Sequence, residues 1–320
     1  MRTTKETIRG PLSGAHAVVT GSAGFIGRHL LDALVARGAS VTGVDRRESF
    51  DRLRPGQELR CDLVDPDAQG ALGDLLASAD MVFHLAARPG VRGVGPSIEH
   101  DRQRDNVDAT RRVLALTPRQ VPLVVTSSSS VYGGARLVDG GAIRPSHESD
   151  ALRPRGGYAR SKVEVEQLCA ARAEAGGVVA VARPFTVVGE GQRCDMALTR
   201  WLHAAVAGEP LTVFGSTDRS RDFTDVAEVA GALVALGMRG EAVVVNVGTG
   251  RPHTLEHVVR AIGAGLGREL PLELVPAGDE EPPATRAHTG RCERVCGFVP
   301  VTDLASVVRR QLDQVVVAAA

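Results

Sequence analysis

Val18-Val19-Thr20-Gly21-Ser22-Ala23-Gly24-Phe25-Ile26-Gly27 is the stretch that decides the fold. An apolar run of strand length, residues 15–20, ends on a loop with glycines in the spacing G-x-x-G-x-x-G, and an amphipathic helical pattern over residues 25–37 follows without a gap. Gly21 permits the tight turn, Gly24 lets backbone N–H groups approach a pyrophosphate, and Gly27 allows the helix to pack closely on the strand. The helix N-terminus at Phe25 and Ile26 favours the negative charge, with Ala23 in the turn before it. The next apolar run, Ser40–Asp45, ends on a carboxylate eighteen residues after Gly27, where it can accept hydrogen bonds from the ribose hydroxyls of an adenosine. A carboxylate repels a 2′-phosphate, so NAD is expected over NADP, although Arg46 and Arg47 beside it could each pair with such a phosphate.

Outward from this unit the alternation of strand and helix continues. Helical patterns fall at about residues 67–78, 98–116 and 157–175, and apolar strand-length runs at 81–85, Leu123–Thr126 and 178–182. Continuous apolar strands separated by helices give a parallel sheet covered on both faces, and right-handed crossovers make it doubly wound. The expected fold is therefore α/β, with a Rossmann-type dinucleotide-binding domain over residues 1–183. After Pro184 the regularity loosens into a Gly-rich loop to Arg193, a helix near 196–207, the short strand Leu211–Phe214 and a Pro-rich stretch at 281–284. This predicts a smaller C-terminal α/β substrate-binding domain over 184–320, of which about 223–250 packs back on the first. Neither a low-complexity linker nor an internal repeat is visible, so the ligand is expected in the cleft between the two.

Composition excludes several classes. The chain has 320 residues, 43% hydrophobic and 24% charged, enough for a sizeable core. Its 38 basic and 38 acidic side chains cancel, and one Trp, two Tyr and seven Phe offer little stacking surface, so nucleic acid is not an expected partner. The first twelve residues carry charges but no apolar core, and no later stretch approaches 18 uninterrupted apolar residues, so no membrane is expected and the location is read as cytoplasmic. Five scattered cysteines argue against a disulfide framework. Cys292 and Cys296 stand four apart on an expected helix but lack two further clustered ligands, so no metal is expected.

Tyr158 and Lys162 stand four apart at the start of a helix and leave the same face. The chain has only two tyrosines and two lysines, so chance would produce such a pair with a probability on the order of one per cent. The chemistry explains the pairing: a phenol with an ordinary pKa near 10 is a poor base at neutral pH, and a nearby ammonium, aided by a nicotinamide cation, favours the phenolate. The run Thr126-Ser127-Ser128-Ser129-Ser130-Val131-Tyr132-Gly133 leaves the end of a parallel strand, the edge where open α/β sheets bind ligands. Hydroxyls there can hold or relay the proton that Tyr158 exchanges.

These residues resemble the extended short-chain dehydrogenase/reductase family, specifically its NAD-dependent epimerase/dehydratase branch, over nearly the whole chain. Matching pieces occur in family order: Thr20 to Gly27, Cys61-Asp62-Leu63, His84-Leu85-Ala86-Ala87, Ser128 to Gly133, Tyr158 with Lys162, Arg183-Pro184-Phe185, Arg221-Asp222-Phe223 and Asn246-Val247-Gly248-Thr249-Gly250. The resemblance implies Ser128, Tyr158 and Lys162 as the catalytic group and Asp62 and Leu63 flanking the adenine. Leu85, Ala86, Ala87 and Thr126 join the cofactor contacts with the glycine loop, Asp45 and Arg46. It puts Arg221 on the diphosphate of a nucleotide sugar and Arg92, Ser127, Ser129, Val213 and Asp279 around the substrate.

Absences narrow the reaction. The branch's 4,6-dehydratases carry an Asp-Glu pair, and its uronate decarboxylases a Glu, where this chain has Ser129 and Ser130, so both lose a needed proton-transfer group. The sequence Phe185-Thr186-Val187-Val188-Gly189, followed by Gln192-Arg193-Cys194-Asp195-Met196-Ala197, is similar to the UDP-glucuronate 4-epimerases, in which the Thr and Arg matching Thr186 and Arg193 hold the sugar carboxylate. An arginine is the expected physical partner, permanently charged and bidentate. His84 to Arg92 and Ala277-Gly278-Asp279 look like the same subgroup. Val188, Glu190, Cys194 and His288 depart from its pattern, where Tyr, Pro, Pro and Asp are usual.

The expectation is an NAD-dependent 4-epimerase of a UDP-sugar, with a uronate preferred. The alternatives are a neutral UDP-hexose 4-epimerase, a 4-ketoreductase acting on a deoxysugar nucleotide, or a silent dinucleotide sensor, whose mark would be a broken Tyr/Lys pair. By the same resemblance a homodimer is expected, through helices near 98–116 and 157–175.

Overall fold

The structure is a computed structural model that describes residues 11–47, 57–90, 95–138 and 142–319. Strand β1 (His16–Thr20) leads through the glycine loop into helix α1 (Phe25–Val35), followed by β2 (Ser40–Asp45), β3 (Glu58–Arg60), α2 (Gln69–Ala77) and β4 (Met81–His84). Next come α3 (Pro96–Arg102), a π-helical turn (Gln103–Asp108), α4 (Ala109–Leu116), β5 (Leu123–Thr126), the short antiparallel pair β6 (Arg136–Leu137) and β7 (Ile143–Arg144), and then α5 (Gly156–Glu174). The remainder runs β8 (Val179–Pro184), β9 (Thr186–Val188), α6 (Ala197–Ala207), β10 (Leu211–Phe214), β11 (Ser220–Arg221), β12 (Phe223–Asp225), α7 (Val226–Arg239) and β13 (Val243–Val247). Last are β14 (His253–Thr254), α8 (Leu255–Leu266), β15 (Leu272–Val275), α9 (Gly290–Cys296) and α10 (Leu304–Ala319).

Seven strands form one parallel sheet in the order β3-β2-β1-β4-β5-β8-β13. The chain moves outward from β1 to β3 and then returns across β1 to β4, so the loops leaving β1 and β4 diverge and open a crevice at the carboxyl ends of the strands. Strict alternation divides the core. Ala17 and Val19 point into a cluster with Leu30, Leu31 and Leu34 of α1 and Leu233 of α7. Val18 points the other way, toward Leu72 and Leu76 of α2, Val113 of α4 and Val165 of α5. Burying a Leu or Val side chain contributes roughly 1.5–3 kcal/mol, so the two-sided apolar pattern of β1 is what places it at the centre.

A third cluster, Leu198, Trp201, Leu202, Leu211, Val213, Val258, Ile262, Val307 and Leu312, packs α6, α8 and α10 around β10. There β10 pairs with β15, β9 with β12, and β11 with β14. Helix α7 caps itself with the Asp225 carboxylate on Ala227 N (2.8 Å), and α8 with the Thr254 hydroxyl on His257 N (3.2 Å).

Two of the differences from expectation lie in the N-terminal half. Strand β3 was not anticipated because Glu58-Leu59-Arg60 is an edge strand with polar flanks and shows no apolar run. The single helix expected over 98–116 is interrupted by the π-helical turn, in which the widened winding turns Asn106 inward to 1% exposure.

Candidate active site

The glycine loop crosses the crevice under tight steric limits. Gly21 has φ +74°, and a Cβ there would lie 2.6 Å from Ala86 N at the end of β4; at Gly27 it would lie 2.2 Å from the Gly21 carbonyl. Neither position can carry a side chain without moving backbone, so loop, strand and helix meet as closely as a pyrophosphate cradle needs. Asp45 holds the loop from the far side: its carboxylate accepts from Ala23 N at 3.1 Å and from Arg47 N at 3.0 Å. Arg46 donates to Asp105 at 3.1 Å, and the Arg47 Nε lies 3.5 Å from Asp45, so both arginines that could have served a 2′-phosphate already have carboxylate partners. Asp62 pairs with Arg104 and accepts from Val64 N at 3.2 Å, and the Arg104 hydrogen bond holds its carboxyl below the usual range against the opposing effect of burial.

A single cleft of about 1140 Å³ runs from this loop to the C-terminal elements. Gly21, Ala23 to Gly27, Asp45, Arg46, Asp62, Leu63 and Leu85 to Ala87 line one end; Thr126 to Ser129, Tyr158 and Lys162 the middle; Thr186, Arg193 and Arg221 the other end. Its volume exceeds that of a pocket for one drug-sized molecule, leaving room for a dinucleotide and a second ligand. Thr126 Oγ1 lines the middle of it, buried and with no hydrogen-bond partner among the described residues, a donor-acceptor that a bound polar group would satisfy. The residues present therefore fit an adenine dinucleotide.

At the middle, Lys162 is 5% exposed and donates from Nζ to the Thr126 carbonyl at 2.8 Å, with the ammonium 6.0 Å from the Tyr158 ring centroid. Burial pulls the Lys162 ammonium down to about 8. Burial likewise pushes the Tyr158 phenol up, opposed by its hydrogen bond with Ser128 and by the positive charges of Arg193 and Arg102. Two arginines thus join Lys162, the cation that helical spacing singles out, in acting on the phenol.

Sequence reasoning missed the scaffold beneath these residues. Thr20 Oγ1 meets His84 Nδ1 at 2.7 Å, His84 Nε2 meets Thr110 Oγ1 at 3.0 Å, and Thr110 donates to the Asn106 carbonyl at 2.6 Å. Asn106 Nδ2 then donates to Ser161 Oγ at 2.9 Å, and Ser161 donates to the Tyr158 carbonyl at 2.8 Å. Burial, with the Lys162 charge adding to it, holds His84 down at about 3, so the imidazole is neutral. A second buried group joins Ser127, Glu166 and Arg183: Ser127 Oγ and Arg183 Nε both donate to Glu166 Oε1, at 2.5 and 2.9 Å. Asp222, with 0% exposure, accepts from Thr249 N, Thr249 Oγ1, Gly250 N and Ala287 N at 2.7–2.9 Å. No local signal marks Asn106 or Ser161; Arg183, Asp222 and Asn246 lay inside the matched motifs.

At the substrate end the expected residues do not all reach the cleft. Arg92 lies outside the described residues. Val213 is fully buried in the third cluster, because strand alternation turns its neighbours Thr212 and Phe214 to the cleft instead. Asp279 is exposed and off the cleft wall, where Glu280 and Glu281 stand; Glu281 pairs with Arg221 at 3.3 Å. Ser127 contributes to the wall, but its hydroxyl is committed to Glu166. Thr186 and Arg193 both line the cleft, and Arg193 is held bidentately by Asp195, Nε to Oδ1 at 2.9 Å. Glu190, where the subgroup has Pro, pairs with Arg310 of α10 at 2.5 Å, and its carbonyl accepts from His29 at 2.8 Å, so the Arg193 loop is anchored by side chains instead of by a proline ring.

A glycine cradle at the switch point, facing a Ser/Tyr/Lys group across one cleft, defines a dinucleotide-dependent enzyme. The chain belongs to the NAD dependent epimerase/dehydratase family, whose pattern matches residues 17–248, and it is an NAD-dependent enzyme. It is 32% identical over 306 residues to "Uncharacterized UDP-glucose epimerase YtcB" of Bacillus subtilis (strain 168), covering 90% of this chain and 93% of that one. It is 27% identical over 331 residues to "Probable UDP-glucuronate 4-epimerase" of Rhizobium meliloti (strain 1021), covering 92% and 94%. Among solved structures, MoeE5 in complex with UDP-glucuronic acid and NAD is 35% identical with a TM-score of 0.84, covering 95% of this chain and all of that one. Among the described residues no helix is long and apolar enough to cross a membrane.

Proposed function

We propose that the protein is a 4-epimerase of a UDP-sugar, and that its substrate is UDP-glucuronate, interconverted with UDP-galacturonate. The observation that carries the uronate reading is Arg193: it lines the cleft, its charge acts on the Tyr158 phenol, and its present partner is the exposed carboxylate of Asp195, which a substrate carboxylate can replace. Tyr158, with Ser128 as relay, takes the proton of the sugar 4-hydroxyl; Lys162 and the arginines favour the phenolate. A dinucleotide held by the glycine loop and Asp45 would supply a reversible hydride acceptor for carbon 4. The 4-keto sugar then turns its other face, and Tyr158 returns the proton to the oxygen, so there is no net redox change. A 4-keto uronate is a β-keto acid, which loses carbon dioxide once its carboxylate stands perpendicular to the ketone. Arg193 and Thr186 would hold the carboxylate out of that orientation.

The closed Arg193–Asp195 pair also suits a second reading, a neutral UDP-hexose, and the relative named as a UDP-glucose epimerase and MoeE5, also solved with UDP-glucose, support it. Incubation with UDP-glucuronate, followed by NMR with a carbon dioxide assay, separates them. UDP-galacturonate without carbon dioxide, and weakened uronate binding in Arg193→Ala, are expected; unchanged uronate affinity in that variant removes the uronate assignment. The division at residues 183 and 184 and the homodimer belong to this proposal. Helices α4 and α5 lie side by side and expose Arg111, Ala115, Glu164, Gln167 and Ala171 for pairing, and a monomeric sedimentation coefficient would rule the dimer out.

A further inference from the structure

Behind the cleft, the loop before α5 and the segment before α9 run together: Ser146 bridges to Ala287, Ser146 N donates to the Arg286 carbonyl at 2.8 Å, and His288 N donates to the Ser146 carbonyl at 2.9 Å. This pairing brings His147, Glu148 and His288 to one point, with one ligand atom of each within 4.8 Å of the other two. The imidazoles of His147 and His288 lie with ring centroids 4.5 Å apart. His147 Nδ1 is 3.9 Å from Glu148 Oε2 and also faces Ser149 Oγ at 2.9 Å and Ser149 N at 3.3 Å.

Two atoms in this group are unsatisfied. The Glu148 side chain is fully buried; Oε1 accepts from Asn246 N at 3.0 Å, but Oε2 has no hydrogen-bond partner among the described residues. His288 Nδ1 is also buried without one. A buried carboxylate oxygen and a buried ring nitrogen left open within one such cluster cost several kcal/mol unless a cation or a proton satisfies them. The neighbouring cation does not serve: the Arg183 guanidinium is committed to Glu166 and reaches only the Glu148 carbonyl, at 3.3 Å.

We propose that His147, Glu148 and His288 bind a divalent transition-metal ion, zinc being the best match, which clamps the loop leading to the catalytic helix against the segment carrying Thr285 into the cleft. Two imidazoles and one carboxylate are a borderline-soft N/O donor set that suits zinc and leaves a fourth position for water. Bonds of 2.0–2.1 Å in a tetrahedron set ligand atoms about 3.3 Å apart, which the two half-exposed imidazoles reach by rotating about their side-chain torsions. Gly290 leaves the space: a Cβ there would fall 3.0 Å from His288 Cε1. Sequence spacing marks only Cys292 and Cys296, because His147, Glu148 and His288 are brought together by the pairing of two segments distant in sequence. Cys292 is nonetheless close enough for the Glu148 charge to act on its thiol, which is pushed up first by its hydrogen bond with Cys296 and by burial.

The test uses the full chain, stripped by dialysis against a chelator and titrated with zinc chloride in competition with a chromophoric chelator. One equivalent bound at micromolar or tighter affinity is expected, with a rise in Tm, and His288→Ala and His147→Ala are expected to weaken binding on the order of 100-fold while leaving the metal-free Tm nearly unchanged. No binding below about 100 µM in the unmodified protein, or binding that survives both substitutions, overturns the proposal. Cobalt substitution supplies a second readout. Weak visible bands without a thiolate charge-transfer band are expected, and a charge-transfer band would place the ion on Cys292 instead and overturn the three-residue assignment.

Discussion

Arg193 and Asp195, two residues apart on the loop between β9 and α6, form a bidentate ion pair inside the cleft that also holds the Tyr158 phenol. An internal carboxylate on the residue proposed to receive a substrate carboxylate is a competitor. Asp195→Asn therefore lowers KM for UDP-glucuronate by about 2- to 5-fold and leaves KM for UDP-glucose nearly unchanged, as expected for removing one charge-assisted partner from an exposed pair. Initial-rate assays on the two substrates check this; equal changes on both favour the neutral-hexose reading.

Tyr158→Phe removes the hydroxyl proposed to exchange the 4-hydroxyl proton. Turnover falls by a factor on the order of 10²–10⁴, while NAD recovered from the denatured protein stays at the level of the unmodified enzyme. A large loss of NAD together with turnover would assign Tyr158 to cofactor retention.

The pH profile follows from Lys162. Burial depresses its ammonium to about 8, so it is charged at neutrality and loses its charge as pH rises through about 8. The kcat profile should show a falling alkaline limb there, and Lys162→Met should be slow and lack that limb. A limb unchanged in the variant would belong to another group.

His84 makes stability acid-sensitive. Its folded pKa of about 3 lies below the ordinary value of 6.5, so the unfolded chain binds a proton that the folded one refuses between those limits. The stability is fully present above about 6.5 and falls by about 1.4 kcal/mol per pH unit as pH drops below it. Denaturant unfolding at pH 7 and pH 5 measures this, and the difference should shrink in His84→Gln.

Asp222→Asn keeps the size of the side chain and turns one acceptor oxygen into a donor facing backbone N–H groups. A loss of about 2–4 kcal/mol is expected, read as a lower denaturation midpoint.

Much of this was legible in the order of residues. The strand, glycine loop, helix and Asp45 form a local unit, and each piece constrains the next within about one turn or strand, so pattern alone located them. Tyr158 and Lys162 were legible because helical spacing is rigid. Val213 and Asp279 were misplaced because whether a residue near a motif faces a cleft depends on strand phase and loop path, which spacing does not convey. Asn106, Ser161 and Glu166 were invisible for another reason: they are ordinary polar residues on helices whose side-chain-to-side-chain partners lie 17 to 55 positions away. The His147, Glu148 and His288 cluster belongs to the same kind.

The π-helical turn at Gln103–Asp108 limits which deletions the chain can absorb. A regular α-helix advances about 100° per residue, so deleting one residue from this turn to restore ordinary winding would swing Asn106 away from Ser161. The hydrogen-bonded series from Thr20 to Tyr158 would be severed at its centre. Surface loops around the cleft can be lengthened or shortened, but this irregularity cannot be regularised while the two halves of the reaction site stay in register.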